Sequence, residues 1–179
     1  SPETNLNCTS KVKIGNWEVA NYGNANYGTR SIESAFAVSS NTGFAELCTE
    51  IGPDKVADMA HKCGIESDLE SVPSITLGVE EVSVLEMAQA YATIANGGTL
   101  HKANCIEEIK DSSGQVIYHA DTRGDKVLNT DLTQAAVEVM EGVVQKGTGR
   151  NAALYNGQPV GGKTGTSEDY RDKWFCGIT

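Results

Sequence analysis

Close to the C-terminal end the sequence reads Gly162-Lys163-Thr164-Gly165-Thr166, and these side chains can act together. A lysine among small residues and two hydroxyls offers a cation and short hydrogen-bond donors to one space, a combination that suits a carboxylate. Glycine is costly inside a strand, so Gly165 implies that another backbone or a ligand comes close there. A strand bearing this run at a sheet edge would also have free N–H groups, able to pair with a peptide-like substrate or to donate to a developing oxyanion. Ser39 is the second candidate. Ile32, Ala35 and Phe36 repeat at helical spacing, and Ser39 takes the i+7 place where an apolar residue belongs. Asn41 then begins a break between two helices, so Ser39-x-Asn41 brings a hydroxyl and an amide into one turn. A satisfied buried serine beside a helix-capping asparagine explains that pair on structural grounds alone.

The elements that must hold these residues follow from periodicity. Residues 1–28 are rich in Asn, Gly and Tyr, with a short apolar alternation around Val12 and Ile14, and read as an extended, irregular lead-in. A helical part spans 29–98. Its stripes are Ile32/Ala35/Phe36/Ser39, Phe44/Leu47/Cys48/Ile51 ended by Gly52-Pro53, and Val56/Met59/Ala60/Cys63 ended by Gly64. Ser83-Val-Leu-Glu86 is a capping box that opens a helix through Met87, Tyr91 and Ile94 to Gly97-Gly98. That helix is apolar nearly all round, which predicts burial in a core. Residues 99–128 read as an inserted hairpin turning at Asp111–Gly114. The last part, 129–179, begins with an amphipathic helix that points Leu132, Ala136, Val139, Met140 and Val143 inward. After the Gly147-Thr148-Gly149 loop come two strands, near 160–166 and 173–178, joined by a charged turn. Helices outnumber strands and the strands gather late, an α+β pattern.

Bulk properties narrow the function classes. A formal charge of −10 without basic clusters argues against nucleic acid as a partner. No stretch approaches the roughly 18 unbroken apolar residues of a membrane helix, and Ser1 to Cys8 are too polar for a signal peptide. Any membrane anchor is therefore expected outside this sequence. Cys8, Cys48, Cys63, Cys105 and Cys176 lack C-x-x-C or His-paired spacing, so no metal or other cofactor is implied. The odd number leaves at least one thiol unpaired, and Cys48 and Cys63, on apolar stripes, read as buried hydrophobes.

Three stretches taken in order, AFAVSSNTGFAEL, GVEEVSVLEMAQAYATIANGG and GGKTGTSEDYRDKWFCGIT, resemble the transpeptidase domain of penicillin-binding proteins, in particular the bifunctional class A enzymes. The resemblance runs from about Asn16 to the last residue. It implies the penicillin-binding protein/serine β-lactamase-like fold and a site built from Ser-x-x-Lys, Ser-x-Asn and Lys-Thr-Gly elements. Ser39 and Asn41 match the second element, with catalytic roles shared with Lys163. Thr164, Gly165 and Thr166 complete the third and would bind the substrate or β-lactam carboxylate. The implied substrate is the D-Ala–D-Ala end of a peptidoglycan stem peptide, on the outer face of the bacterial plasma membrane in a membrane-anchored protein.

One element of the trio is missing. Ser10-Lys11-Val12-Lys13 has the spelling of the first, but it alternates like a strand and runs into Gly15. The nucleophilic serine should open a helix that sets its lysine one turn away. The chain is therefore expected to lack the nucleophile and also the C-terminal strand and helix that the family carries, and to be inactive by itself. Two other functions stay open. A D,D-carboxypeptidase or β-lactamase-type hydrolase would need a deacylating carboxylate, and none is obvious at a family position. A non-catalytic β-lactam sensor or cell-wall-binding domain would have no need of Lys163 beside glycine.

Overall fold

The computed structural model describes residues 1–179, the side chain of Glu168 excepted. Its first thirty residues are more regular than expected. β1 (Asn5–Cys8), β2 (Lys11–Ile14), β3 (Trp17–Ala20) and β4 (Gly28–Ser31) form two antiparallel pairs, β1 with β4 and β2 with β3. β2 and β3 are joined by Gly15-Asn16, in which Gly15 takes φ 60, the backbone a two-residue hairpin requires. Ser10-Lys11-Val12-Lys13 lies on this hairpin, and Lys11 pairs across it with Glu18 at 3.1 Å.

The helical part follows as α1 (Ile32–Ala37), α2 (Asn41–Ile51), α3 (Pro53–Lys62) and α4 (Val84–Ala95). α1 ends at Ala37, two residues before Ser39, the last position of its stripe. Gly52 and Pro53 separate α2 from α3 as the sequence indicates, with Gly52 at φ 106 and Pro53 in the first turn of α3. Cys48 and Cys63 are buried, as is Cys8, and all five cysteines are free. Burial pushes the thiols of Cys48, Cys63 and Cys176 upward, holding them protonated.

α4 is not enclosed as predicted. Ala90 and Thr93 are buried, whereas Val84 and Leu85 are 67% and 62% exposed. Its buried face joins Cys63 and Ile65 in a small core, flanked by Met87 and Leu128. The capping box is present: Ser83 accepts from the Glu86 N–H, and Glu86 accepts from the Ser83 N–H at 2.8 Å. Glu86 also takes hydrogen bonds from the backbone of Glu66 and from the backbone and hydroxyl of Ser67, which ties the segment after α3 to the start of α4.

β5 (Thr99–Leu100) pairs with β8 (Asp125–Lys126), and between them β6 (Glu108–Lys110) and β7 (Val116–His119) form the expected hairpin, turning at Asp111–Gly114. α5 (Thr130–Lys146) packs against α1, α4 and β9 (Gly161–Thr166), the strand that pairs antiparallel with β10 (Lys173–Ile178). Met140 and Val143 of α5 are buried as predicted, but Leu132 is 53% exposed, and Thr133 is buried in its place. α5 is thus the bridge between the helical part and the C-terminal hairpin. An ion pair between Lys146 and Glu33 reinforces its contact with α1.

The hydroxyl and N–H of Ser83, helped by those of Ser67, pull the Glu86 carboxyl from its ordinary 4.5 to about 2. A carboxyl lowered by folding contributes stability above its unfolded value and loses that contribution as pH falls through the folded one. Stability of the native chain should therefore drop between pH about 4.5 and about 2 by an amount that Glu86→Gln lacks, with the variant already less stable at pH 7. Urea midpoints across that window measure the difference, and parallel curves would contradict it.

Candidate active site

Ser39 belongs to the turn after α1 rather than to the helix. The Ser39 N–H donates to the Phe36 carbonyl at 3.0 Å and the Ser40 N–H to the Ala35 carbonyl at 2.9 Å, the paired bonds of a Schellman turn. Ser39 stands at the position such turns usually give to glycine and has φ 57. Left-handed backbone costs an L-residue roughly 1–2 kcal/mol. Strain of this kind persists only where the surrounding structure over-determines the backbone.

The next residue starts α2. Ser40 is buried and caps the helix, accepting from the Gly43 N–H at 3.2 Å. Asn41 is therefore the first residue of α2, and the capping role the sequence suggested for it falls to Ser40. The Asn41 amide donates to the Ala20 carbonyl at 2.9 Å, fixing its side chain against the end of β3. It is not hydrogen-bonded to Ser39 or to Lys163.

A residue that sequence patterning missed holds this turn from below. Asn21 is 3% exposed, and its Oδ1 accepts from the Ser40 hydroxyl and the Thr42 N–H at 3.2 and 3.1 Å. Its amide donates to the carbonyls of Thr9 and Ala25, both at 2.9 Å. One buried amide thus joins the β1–β2 turn, the segment before β4 and the start of α2. Only its place in the Asn- and Gly-rich lead-in could have drawn notice to it.

Across from Ser39 lies β9, whose pairing among the described residues is with β10 alone. Two of its glycines admit close packing. A Cβ on Gly162 would lie 2.6 Å from the Cys176 carbonyl oxygen, and one on Gly161 would lie 3.1 Å from Met140 of α5. Of the backbone or ligand expected close to Gly165, no backbone comes near among the described residues, where the nearest atom to such a Cβ is Trp174 Cβ at 3.7 Å. That side of β9 is open.

Lys163 Nζ donates to Ser39 Oγ and to the Thr164 carbonyl, both at 2.8 Å, and lies 5.7 Å from the centre of the Phe36 ring. Burial lowers its pKa. Among the described residues no carboxylate comes within ion-pair distance of it. A partly buried ammonium bonded only to neutral oxygens leaves positive potential available to an anion. The Thr164 hydroxyl lies 2.6 Å from that of Thr148, another residue the sequence reading passed over as loop. Thr166 shares the face of Thr164, two positions along the strand, and is exposed. The structure thus brings Ser39, Lys163 and Thr164 together and sets Asn41 one turn away. Two surface concavities, of about 540 and 410 Å³, contain none of these residues, so chemistry rather than hollow volume marks the site.

All of residues 1–179 match the penicillin binding protein transpeptidase domain. The chain belongs to that family. Penicillin-binding protein 1A of Aquifex aeolicus is 34% identical over 163 residues, covering 91% of this chain and 22% of the relative. The same protein of Rickettsia typhi is 32% identical over 186 residues, covering 91% and 24%. The chain therefore spans about a quarter of the length of these relatives. The penicillin-binding protein PonA1 of Mycobacterium tuberculosis superposes with a TM-score of 0.87 at 27% identity, over 99% of this chain and 51% of that one. PonA1 has also been solved in complex with penicillin V. The short sheets and helical cluster described above are thus a partial penicillin-binding protein transpeptidase fold, of a family that binds β-lactams.

Ser39→Gly should leave thermal stability within a few degrees of the native value, because relief of the left-handed strain offsets the lost hydroxyl contact and the greater freedom of unfolded glycine. Ser39→Val, β-branched at a positive φ, should lower the melting temperature clearly. Thermal unfolding of the two variants side by side checks the ordering, and a valine variant as stable as the glycine one would contradict it.

Proposed function

We propose that this chain is part of a serine D,D-transpeptidase that cross-links peptidoglycan stem peptides through an acyl-enzyme and is acylated by β-lactams. The nucleophilic serine would come from a segment outside residues 1–179, so the chain by itself would be inactive. The observation that carries the reading is the 2.8 Å bond from Lys163 Nζ to Ser39 Oγ, made by an ammonium without a carboxylate partner among the described residues.

In the whole protein the nucleophile would attack the carbonyl of the penultimate D-Ala, forming an ester and releasing the terminal D-Ala. A neighbouring strand's amine would then take the acyl group. Lys163 donates into Ser39 Oγ, which directs the hydroxyl proton of Ser39 away from the ammonium, where a leaving amine could accept it. The positive potential of Lys163 would hold the terminal carboxylate, helped by the hydroxyls of Thr164 and Thr166. The open flank of Gly165 leaves room for a peptide backbone along β9, and the Thr166 N–H would be one oxyanion donor. Asn41, its amide nitrogen held by Ala20, would turn Oδ1 toward the substrate's N–H. A β-lactam with its own carboxylate would occupy the same contacts. No helix among the described residues is long and apolar enough to cross a membrane. We place the whole protein on the outer face of the bacterial plasma membrane, where its substrate lies.

In the full-length protein, Lys163→Ala should lower the second-order rate of labelling by fluorescent penicillin by about 10- to 100-fold, the loss of one charge-assisted contact. The native rate should also fall on the alkaline side, below the ordinary lysine range, as the lowered pKa of Lys163 is passed and its cation is lost. That limb should be absent in the variant. Labelling unchanged by Lys163→Ala would overturn the reading. So would a penicillin adduct found by mass spectrometry on residues 1–179 alone.

A further inference from the structure

Thr148 occupies a rigid place that nothing in the mechanism above uses. It sits in the Gly147-Thr148-Gly149 loop between α5 and β9. Its N–H donates to the carbonyl of Ala37, the last residue of α1, at 3.1 Å, and the Gly149 N–H donates to the Val143 carbonyl at 3.0 Å. The flanking glycines have no room for side chains. A Cβ on Gly147 would overlap the Ala37 carbonyl oxygen, and one on Gly149 would lie 3.1 Å from Val143 and 3.3 Å from Phe175. The loop is therefore wedged between the end of α1 and β10, two residues before Ser39 on one side and beside Thr164 on the other. From this fixed backbone Thr148 projects an exposed hydroxyl whose oxygen is 2.6 Å from that of Thr164.

The proton count of that pair has a consequence for anion binding. Each threonine hydroxyl carries one proton. In the bonded pair one proton lies between the two oxygens and the other is left over. A carboxylate can only accept, so its arrival selects the direction of the bond. We infer that Thr148 is a positioning residue of the carboxylate subsite: its hydroxyl donates to Thr164 Oγ1 and leaves the proton of Thr164 aimed at the ligand's carboxylate. The bond also polarises Thr164 and makes it a better donor. Thr164 is well placed for this because its carbonyl already accepts from Lys163, which fixes the strand at that residue. Thr148 thus acts through Thr164, and the inference rests on the site proposed above.

The test uses the full-length protein and fluorescent penicillin, with the apparent affinity and the limiting acylation rate measured separately. Thr148→Val should weaken apparent affinity about 3- to 10-fold, the effect of one neutral hydrogen bond, with the limiting rate held. Thr148→Ser, which keeps the hydroxyl, should restore native affinity. Thr164→Val should weaken affinity further, and the double variant Thr148→Val/Thr164→Val should be no worse than Thr164→Val alone, because Thr148 has nothing left to orient. Native affinity in Thr148→Val would overturn the inference. Multiplicative losses in the double variant would also overturn it, since Thr148 would then touch the ligand itself. A loss in Thr148→Val that Thr148→Ser does not restore would reduce Thr148 to a packing residue and overturn it as well. Lys163→Ala keeps the two levels apart: if it leaves labelling unchanged the site itself is wrong, whereas if it slows labelling as proposed above while the Thr148 series fails, only the inference is lost.

Discussion

The contact between Lys163 and Ser39 joins two parts of the chain 124 positions apart, and much of the surrounding structure serves to hold it. An ammonium that is largely out of water needs either a counter-charge or oriented oxygens. Here it has the Ser39 hydroxyl, the Thr164 carbonyl and the face of Phe36. Those partners satisfy its hydrogen bonds without neutralising it. A carboxylate in their place would form a stable ion pair but would cancel the potential that an anionic ligand meets. The lowered pKa of Lys163 is the electrostatic counterpart of this arrangement.

Geometry of that kind depends on small residues. Gly161 and Gly162 let β9 lie close to α5 and β10, and Gly147 and Gly149 let the loop after α5 lie against the end of α1. α5 therefore sets the distance between the two walls of the site. Larger side chains at these glycines would press on Ala37, Val143, Met140 and Phe175, the residues that set those close approaches. On the other wall, the left-handed turn at Ser39 and the cap at Ser40 follow each other directly, so the chain reverses from α1 into α2 within the residues that form the site. Asn21 anchors that reversal by accepting from Ser40 and Thr42 while donating to three carbonyls. No buried side-chain nitrogen or oxygen among the described residues lacks a partner. The satisfied polar network is what makes a strained turn tenable.

Rules of local chemistry made parts of this legible from sequence. The capping box at Ser83 and Glu86, the breaks at Gly52-Pro53 and Gly64, the Asp111–Gly114 turn and the C-terminal strand pair each depend on neighbouring residues. Ser39 could be singled out because it broke an apolar stripe, and Lys163 and Thr164 because they place a cation and a hydroxyl among glycines. Other features escaped because their causes are distant. α1 stops two residues before Ser39, which the turn presents to Lys163 of β9. α4 leaves Val84 and Leu85 exposed because apolar composition says nothing about which elements cover a helix. The lead-in forms strands because β4 returns to pair with β1, a pairing between residues twenty or more positions apart.

The sequence by itself therefore determined the α+β character, the family resemblance and the residue types able to hold a carboxylate, because those are written in local spacing and composition. Only the tertiary structure decided that Ser39 is strained, that Asn41 turns toward β3, and that Thr148 meets Thr164. The Thr148 contact follows from the packing of α5 between α1 and β9, and the orientation of Asn41 from the packing of α2 against β3, contacts between surfaces that no local pattern encodes.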